Sequence, residues 1–208
     1  MDERRDHLWK VANETDERAQ PPVPEGAYPM GLDVGTSKVV AARRRGREIE
    51  SATQLNAFLP KKYSKLTENI LSQNGVSYYR EGDELVVYGS ATERFANMFN
   101  EEARRPMSDG MLNPREKLGL PVLEAILQTL LPKARVAGET LAFSVPAAAP
   151  GRAAELTYHE ATLRKLFESY GYKTVAINEG LAVVFAEDRK STRLNSSHSR
   201  ASRMPSSA

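Results

Sequence analysis

Residues 31–40, GLDVGTSKVV, bring together the residue types that phosphate chemistry needs. Asp33 closes a short apolar run, a turn of Gly35, Thr36 and Ser37 follows, and Lys38 comes next. Glycine has no Cβ, so backbone at Gly35 can approach a ligand closely and φ can be positive. Successive amides in such a turn converge on an anion; the Thr36 and Ser37 hydroxyls add donors, and Lys38 adds charge if it points inward. Asp33 is the candidate ligand for Mg2+, through water, because Mg2+ keeps part of its hydration shell. The competing reading is a surface hairpin in which Gly-Thr-Ser only turns the chain. A Walker-type loop does not fit: it needs a Lys-Ser/Thr pair at the mouth of a helix, and the residues after Lys38 read as a strand. Far along the chain, Glu179 stands where YKTVAIN passes into EGLAVVFAE, a strand-to-helix junction. A carboxylate there can accept a hydrogen bond from water or simply favour the helix dipole, and Asn178 is placed to cap the helix.

The elements that must position these residues follow from periodicity. MGLDV and KVVAAR flank the turn as strands, with REIESATQ as a third. FLPKKYSKLTENILSQ reads as loop with a helical turn, and GVSYYREGDELVVYG as a hairpin about EGD. SATERFANMFNEEA is an amphipathic helix with Ser90 as N-cap and Glu93 at the capping-box spacing. A second helix is expected over residues 114–131, stopped by Pro132. TLAFSVP is a buried strand, RAAELTYHEATLRKLFESYG a third helix ending at Gly171, and YKTVAIN another strand. Strands in a meander, then alternating with helices, indicate an α/β domain with a mixed sheet. Asp109 and Gly110 make a tight turn. Arg43, Arg44 and Arg45 form a solvated hairpin end, and His159 is a helix-surface residue with no second ligand at metal spacing.

Composition narrows the class. The 208 residues are 40% apolar and 27% charged, with no cysteine, which excludes disulfides, thiolate metal sites and a cysteine nucleophile. No run approaches the roughly 20 apolar residues of a membrane span, and no secretory leader is visible, so the expected location is cytoplasmic. The net charge of +2 comes from residues 188–208; without them the balance is slightly acidic, so no nucleic-acid partner is implied. Residues 1–28 are polar and Pro-rich and read as a disordered leader, with at most a short helix around Leu8, Trp9 and Val11.

GLDVGTSKVVAA resembles the first phosphate motif of the actin-like ATPase superfamily, which includes actins, seventy-kilodalton heat-shock chaperones, sugar kinases, MreB and FtsA. RRPMSDGML, FSVPAAA and VAINEGLAVVFAE are similar to MreB segments and occur in the same order, so the resemblance covers about residues 30–187 and is closest to MreB and FtsA. Gly180 replaces the usual proline, and Val183, Val184 and Phe185 replace small alanines, which marks a divergent relative.

The resemblance implies a ribonuclease H-like mixed sheet flanked by helices, the N-terminal half of an actin-like ATPase fold. It implies ATP and Mg2+ as cofactors, with Asp33 on the metal, Gly35, Thr36, Ser37 and Lys38 on the phosphates, and Glu179 as the catalytic residue orienting water. It further implies self-association into filaments, or cell-shape and cell-division proteins as partners. A sugar or metabolite kinase, a chaperone-type ATPase and a non-catalytic binding module are the alternatives. No second phosphate loop or adenosine-binding glycine pair follows Glu179, so residues 29–187 read as an incomplete domain with little or no turnover. Residues 188–198 and 202–208 resemble an in-frame translation of a sequencing-library adapter, so 188–208 is expected to be a non-native tail.

Overall fold

The computed structural model describes residues 9–14 (backbone only), 29–46, 48–147 and 149–187. The remainder of the expected leader and the whole of the expected tail lie outside the described residues. The strands are β1 Trp9–Glu14, β2 Met30–Val34, β3 Lys38–Arg45, β4 Glu48–Leu55, β5 Phe58–Lys62, β6 Tyr78–Glu81, β7 Glu84–Tyr88, β8 Met107–Ser108, β9 Met111–Leu112, β10 Thr140–Val145 and β11 Lys173–Asn178. The helices are α1 Lys65–Gln73, α2 Thr92–Phe99, α3 Gly119–Leu130, α4 Ala153–Ser169 and α5, residues 179–187.

A six-stranded sheet runs β1-β4-β3-β2-β10-β11. The β2–β3–β4 meander is antiparallel and β1 adds antiparallel to β4, whereas β10 and β11 are parallel to β2. The architecture is therefore mixed α/β, with a mixed sheet and flanking helices. Alternation along the strands sends Met30, Leu32, Val34, Val39, Ala41, Leu141, Phe143 and Val145 to one face, all buried. There they pack with Val122, Leu123, Ile126, Leu127 and Leu130 of α3 and Leu163 and Phe167 of α4 in one cluster. Phe143 and Phe167 meet edge to face at 5.2 Å.

The opposite face carries Gly31, Asp33, Lys38, Val40, Ala42, Ala142, Ser144, Val175 and Ile177. None of these is buried, and Val175 is 43% exposed.

In a smaller sheet, β5-β7-β6, the central strand β7 is buried on both sides. Phe58 and Val86 join the main core, while Leu59, Leu85 and Val87 pack with Leu71 of α1 and Phe95 of α2. That two-sided burial is why Leu85-Val86-Val87 reads as an unbroken apolar run.

Several local expectations change. Within residues 58–73 the expected loop is strand β5 and the expected helical turn is the full helix α1, which the Ser64 hydroxyl caps by accepting from Thr67 N–H at 3.0 Å. Ser90 does not cap α2; its N–H and hydroxyl both donate to Gln54 Oε1, and Ala91 takes the cap position without a side-chain bond. α3 begins at Gly119, five residues later than the expected 114, because residues 113–118 are spent on turns closed by Glu116 N–H to Asn113 O and Gly119 N–H to Glu116 O. Around Trp9 the chain is strand, not helix, since it extends the sheet beyond β4.

Candidate functional site

β2, β10 and β11 run parallel and end together. Ser144 pairs in register with Ile177, and its hydroxyl donates to Asp33 Oδ1 at 2.6 Å while accepting from Val34 N–H at 3.3 Å. Asp33, Ser144 and Ile177 therefore form a row on the open face, and Glu179, two residues beyond Ile177, continues it at the first residue of α5. Asn178 caps α5 as expected: its Oδ1 accepts from the N–H of Gly180 at 3.0 Å and of Leu181 at 3.3 Å. Burial, and then the charge of Asp33, raise the Glu179 pKa above the ordinary glutamate value. Among the described residues no basic side chain pairs with either carboxylate. The two acids thus lie in one row at the carboxyl ends of parallel strands, a position where α/β sheets hold ligands.

Gly35, Thr36 and Ser37 link β2 to β3. Gly35 N–H donates to Lys38 O at 3.0 Å. Glycine is needed at 35 for contact rather than for a positive φ, because a Cβ would lie 3.1 Å from that carbonyl. Gly35 O accepts from Asn56 Nδ2 at 2.8 Å, and Ser37 O accepts from Asn56 N–H at 2.9 Å and Arg105 Nη1 at 3.1 Å. The N–H groups of Thr36 and Ser37 have no acceptor among the described residues. Lys38 is exposed on the Asp33 face, two positions along β3 from Val40, the register partner of Asp33. The structure therefore brings Asp33, Lys38, Ser144 and Glu179 to one face and one end of the sheet, beside the Gly35–Ser37 turn.

Asp109 and Gly110, with φ of 53° and 76°, make the two-residue turn between β8 and β9. Gly110 N–H donates to Thr36 Oγ1 at 2.9 Å, so the Thr36 hydroxyl hydrogen stays free to donate elsewhere. Behind this turn is a cavity of about 360 Å3 whose lining includes Ser108, Asp109, Asn113, Arg115, Arg152 and Glu155. Arg152 in its lining pairs with Asp109 at 3.1 Å and Glu155 at 2.7 Å, and no residue of the row lines it.

His159, expected on a helix surface, is 1% exposed. Nδ1 accepts from Leu112 N–H at 3.2 Å, and burial lowers its pKa to about 4. It ties α4 to β9. Among the described residues no group of three or more acidic, His or Cys side chains has metal-site geometry, so any cation here would use two carboxylates, water and the ligand itself. Ser144, Asn56 and Arg105 carry no signal of their own in the sequence; only register and burial bring them to the site.

A family model described as Volactin matches residues 28–192. The chain belongs to the Volactin family. The match begins at the switch from polar leader to strand pattern and runs past residue 187. No curated protein matches the chain. The family found is Volactin rather than MreB or FtsA, so assignment to an MreB- or FtsA-type ATPase, with its ATP-hydrolysing and cell-shape or cell-division roles, is corrected. Each motif answers a local demand: glycine at a close turn, Asp-Gly where two positive φ values follow each other, asparagine at a helix start. Such wording recurs wherever the same backbone is needed and carries less weight than a match over most of the chain.

Proposed function

We propose that this Volactin-family chain is a binding module for a phosphorylated ligand and its hydrated divalent cation, held at the joint carboxyl end of β2, β10 and β11. The observation that carries the reading is the Asp33 carboxylate, held by the Ser144 hydroxyl at 2.6 Å and continued in its row by Glu179, beside a turn whose Thr36 and Ser37 amides have no acceptor among the described residues. Mg2+ binds through one or two carboxylates plus phosphate oxygens and water. Asp33 holds the hydrated ion, with Ser144 fixing its carboxylate. The Thr36 and Ser37 amides, the Thr36 hydroxyl and Lys38 face the phosphates, and Gly35 lets the backbone come close. Glu179 accepts a hydrogen bond from a water of the metal's hydration shell. ATP with Mg2+ is the cofactor proposed first.

The strand order supports a ribonuclease H-like arrangement: setting β1 aside, β4-β3-β2-β10-β11 places the first strand of the meander centrally, with two parallel strands beyond it. Self-association is proposed on separate ground, since α5 carries Leu181, Val183, Val184 and Phe185 all at least 48% exposed, an apolar surface that folded helices usually cover. Among the described residues no helix is long and apolar enough to cross a membrane, and a cytoplasmic location is proposed with this reading.

The test is titration calorimetry of the full chain with MgATP, magnesium tripolyphosphate and adenosine. The expected result is binding of both phosphate ligands only with the metal present, weakened at least about tenfold in Asp33→Ala, a loss of about 1.4 kcal/mol. Metal-independent binding, or unchanged affinity in Asp33→Ala, would overturn it.

A further inference from the structure

We propose that Asn56 and Arg105 are positioning residues for the Gly35–Ser37 turn, drawing its carbonyls back so that its amides face an anion. The proposal rests on the reading of that turn as the phosphate subsite. Asn56 sits between β4 and β5, at the joint of the two sheets, and is fully buried. It gives the turn two hydrogen bonds, side-chain Nδ2 to Gly35 O and main-chain N–H to Ser37 O. Arg105 adds a third to Ser37 O and reaches Asn56 O at 3.3 Å; its guanidinium is steadied by Glu93 of α2 at 3.6 Å.

In a trans peptide the C=O and the following N–H point in opposite directions. A Gly35 carbonyl turned toward Asn56 therefore aims Thr36 N–H away from it, and a Ser37 carbonyl turned the same way does so for Lys38 N–H. In an ordinary two-residue hairpin Gly35 O would accept from Lys38 N–H and bind up that amide; here Asn56 takes the carbonyl instead. Asn56 does this at a cost. Among the described residues its Oδ1 is buried with no partner, and an unpaired buried acceptor opposes folding. Exchanging the oxygen and nitrogen would set two acceptors against each other at Gly35 O. An apolar residue would remove the unpaired atom but give up the donor to Gly35 O.

The experiment compares wild type, Asn56→Leu and Arg105→Lys, using magnesium pyrophosphate as the anion probe and Mn2+ alone as the probe of the Asp33–Glu179 pair. Asn56→Leu changes no charge, and Arg105→Lys keeps the charge while losing the guanidinium fork. The expected result is about a tenfold loss of pyrophosphate affinity in Asn56→Leu and a smaller loss in Arg105→Lys, with Mn2+ affinity unchanged in both. Wild-type pyrophosphate affinity in Asn56→Leu overturns the proposal, as does equal loss of Mn2+ and pyrophosphate binding. Should Asn56→Leu not fold, Arg105→Lys decides alone: pyrophosphate affinity equal to wild type overturns the proposal, and selective loss supports it. Absence of pyrophosphate binding in wild type would instead strike the reading of the site itself.

Discussion

Glu179 holds its proton more tightly than a free glutamate, because burial and the Asp33 charge both oppose ionisation. Its folded pKa lies above its unfolded one, so its contribution to stability is present below the unfolded value and is lost as pH rises through the folded value. A cation bound between the acids needs Glu179 ionised and must displace that proton. Manganese affinity is therefore expected to rise with pH through the upper carboxylate range, and in Glu179→Gln to be weaker and flat. Calorimetry over a pH series, in buffers of different ionisation enthalpy, reads both affinity and released protons. A flat wild-type profile, or an unchanged slope in Glu179→Gln, would count against a metal role for the pair. Asp33 and the turn were legible in the sequence because one short stretch holds them. Ser144 was not, since AFSVP shows a serine on a strand but not which neighbour it faces.

At the scale of elements, α4 is fastened to β9 through one imidazole. Leu112 N–H donates to His159 Nδ1, which must stay neutral to accept. With its pKa lowered from 6.5 to about 4, stability from this group is present above pH 6.5 and lost as pH falls toward 4, on the order of 3 kcal/mol in all. His159→Gln keeps an acceptor and removes the titration, so the thermal midpoint of the variant should fall less than that of wild type across this window. Parallel curves would place the sensitivity elsewhere. The sequence placed His159 on a surface because the polar neighbours Tyr158 and Glu160 mask the period that joins it to Leu163 and Phe167 inside the core. The hairpin at EGD, the β2–β3 turn and the cap at Asn178 were readable because turn and cap chemistry is local. β5 and α1 were not, because Pro60 and a run of lysines hide a strand whose burial comes from β7 and α2.

For the molecule as a whole, α3 is the element that joins both sheets to one core. It is apolar on most sides, and its buried residues belong to the cluster that also contains Phe58 and Val86 of the small sheet. The same cluster takes in α4, so among the described residues the main sheet is packed from one side only, with exposed Val175 and half-buried Val40, Ala42, Ala142 and Ile177 on the other. That asymmetry has a calorimetric consequence. Unfolding raises the heat capacity in proportion to the apolar surface newly hydrated, ordinarily about 12–15 cal/mol/K per residue. A sheet face already wet in the native state adds little to that increment. The chain should therefore show a heat-capacity change per residue below the ordinary range in differential scanning calorimetry, and a broad, shallow curve of stability against temperature. An increment within that range would mean that the outward face is covered in solution.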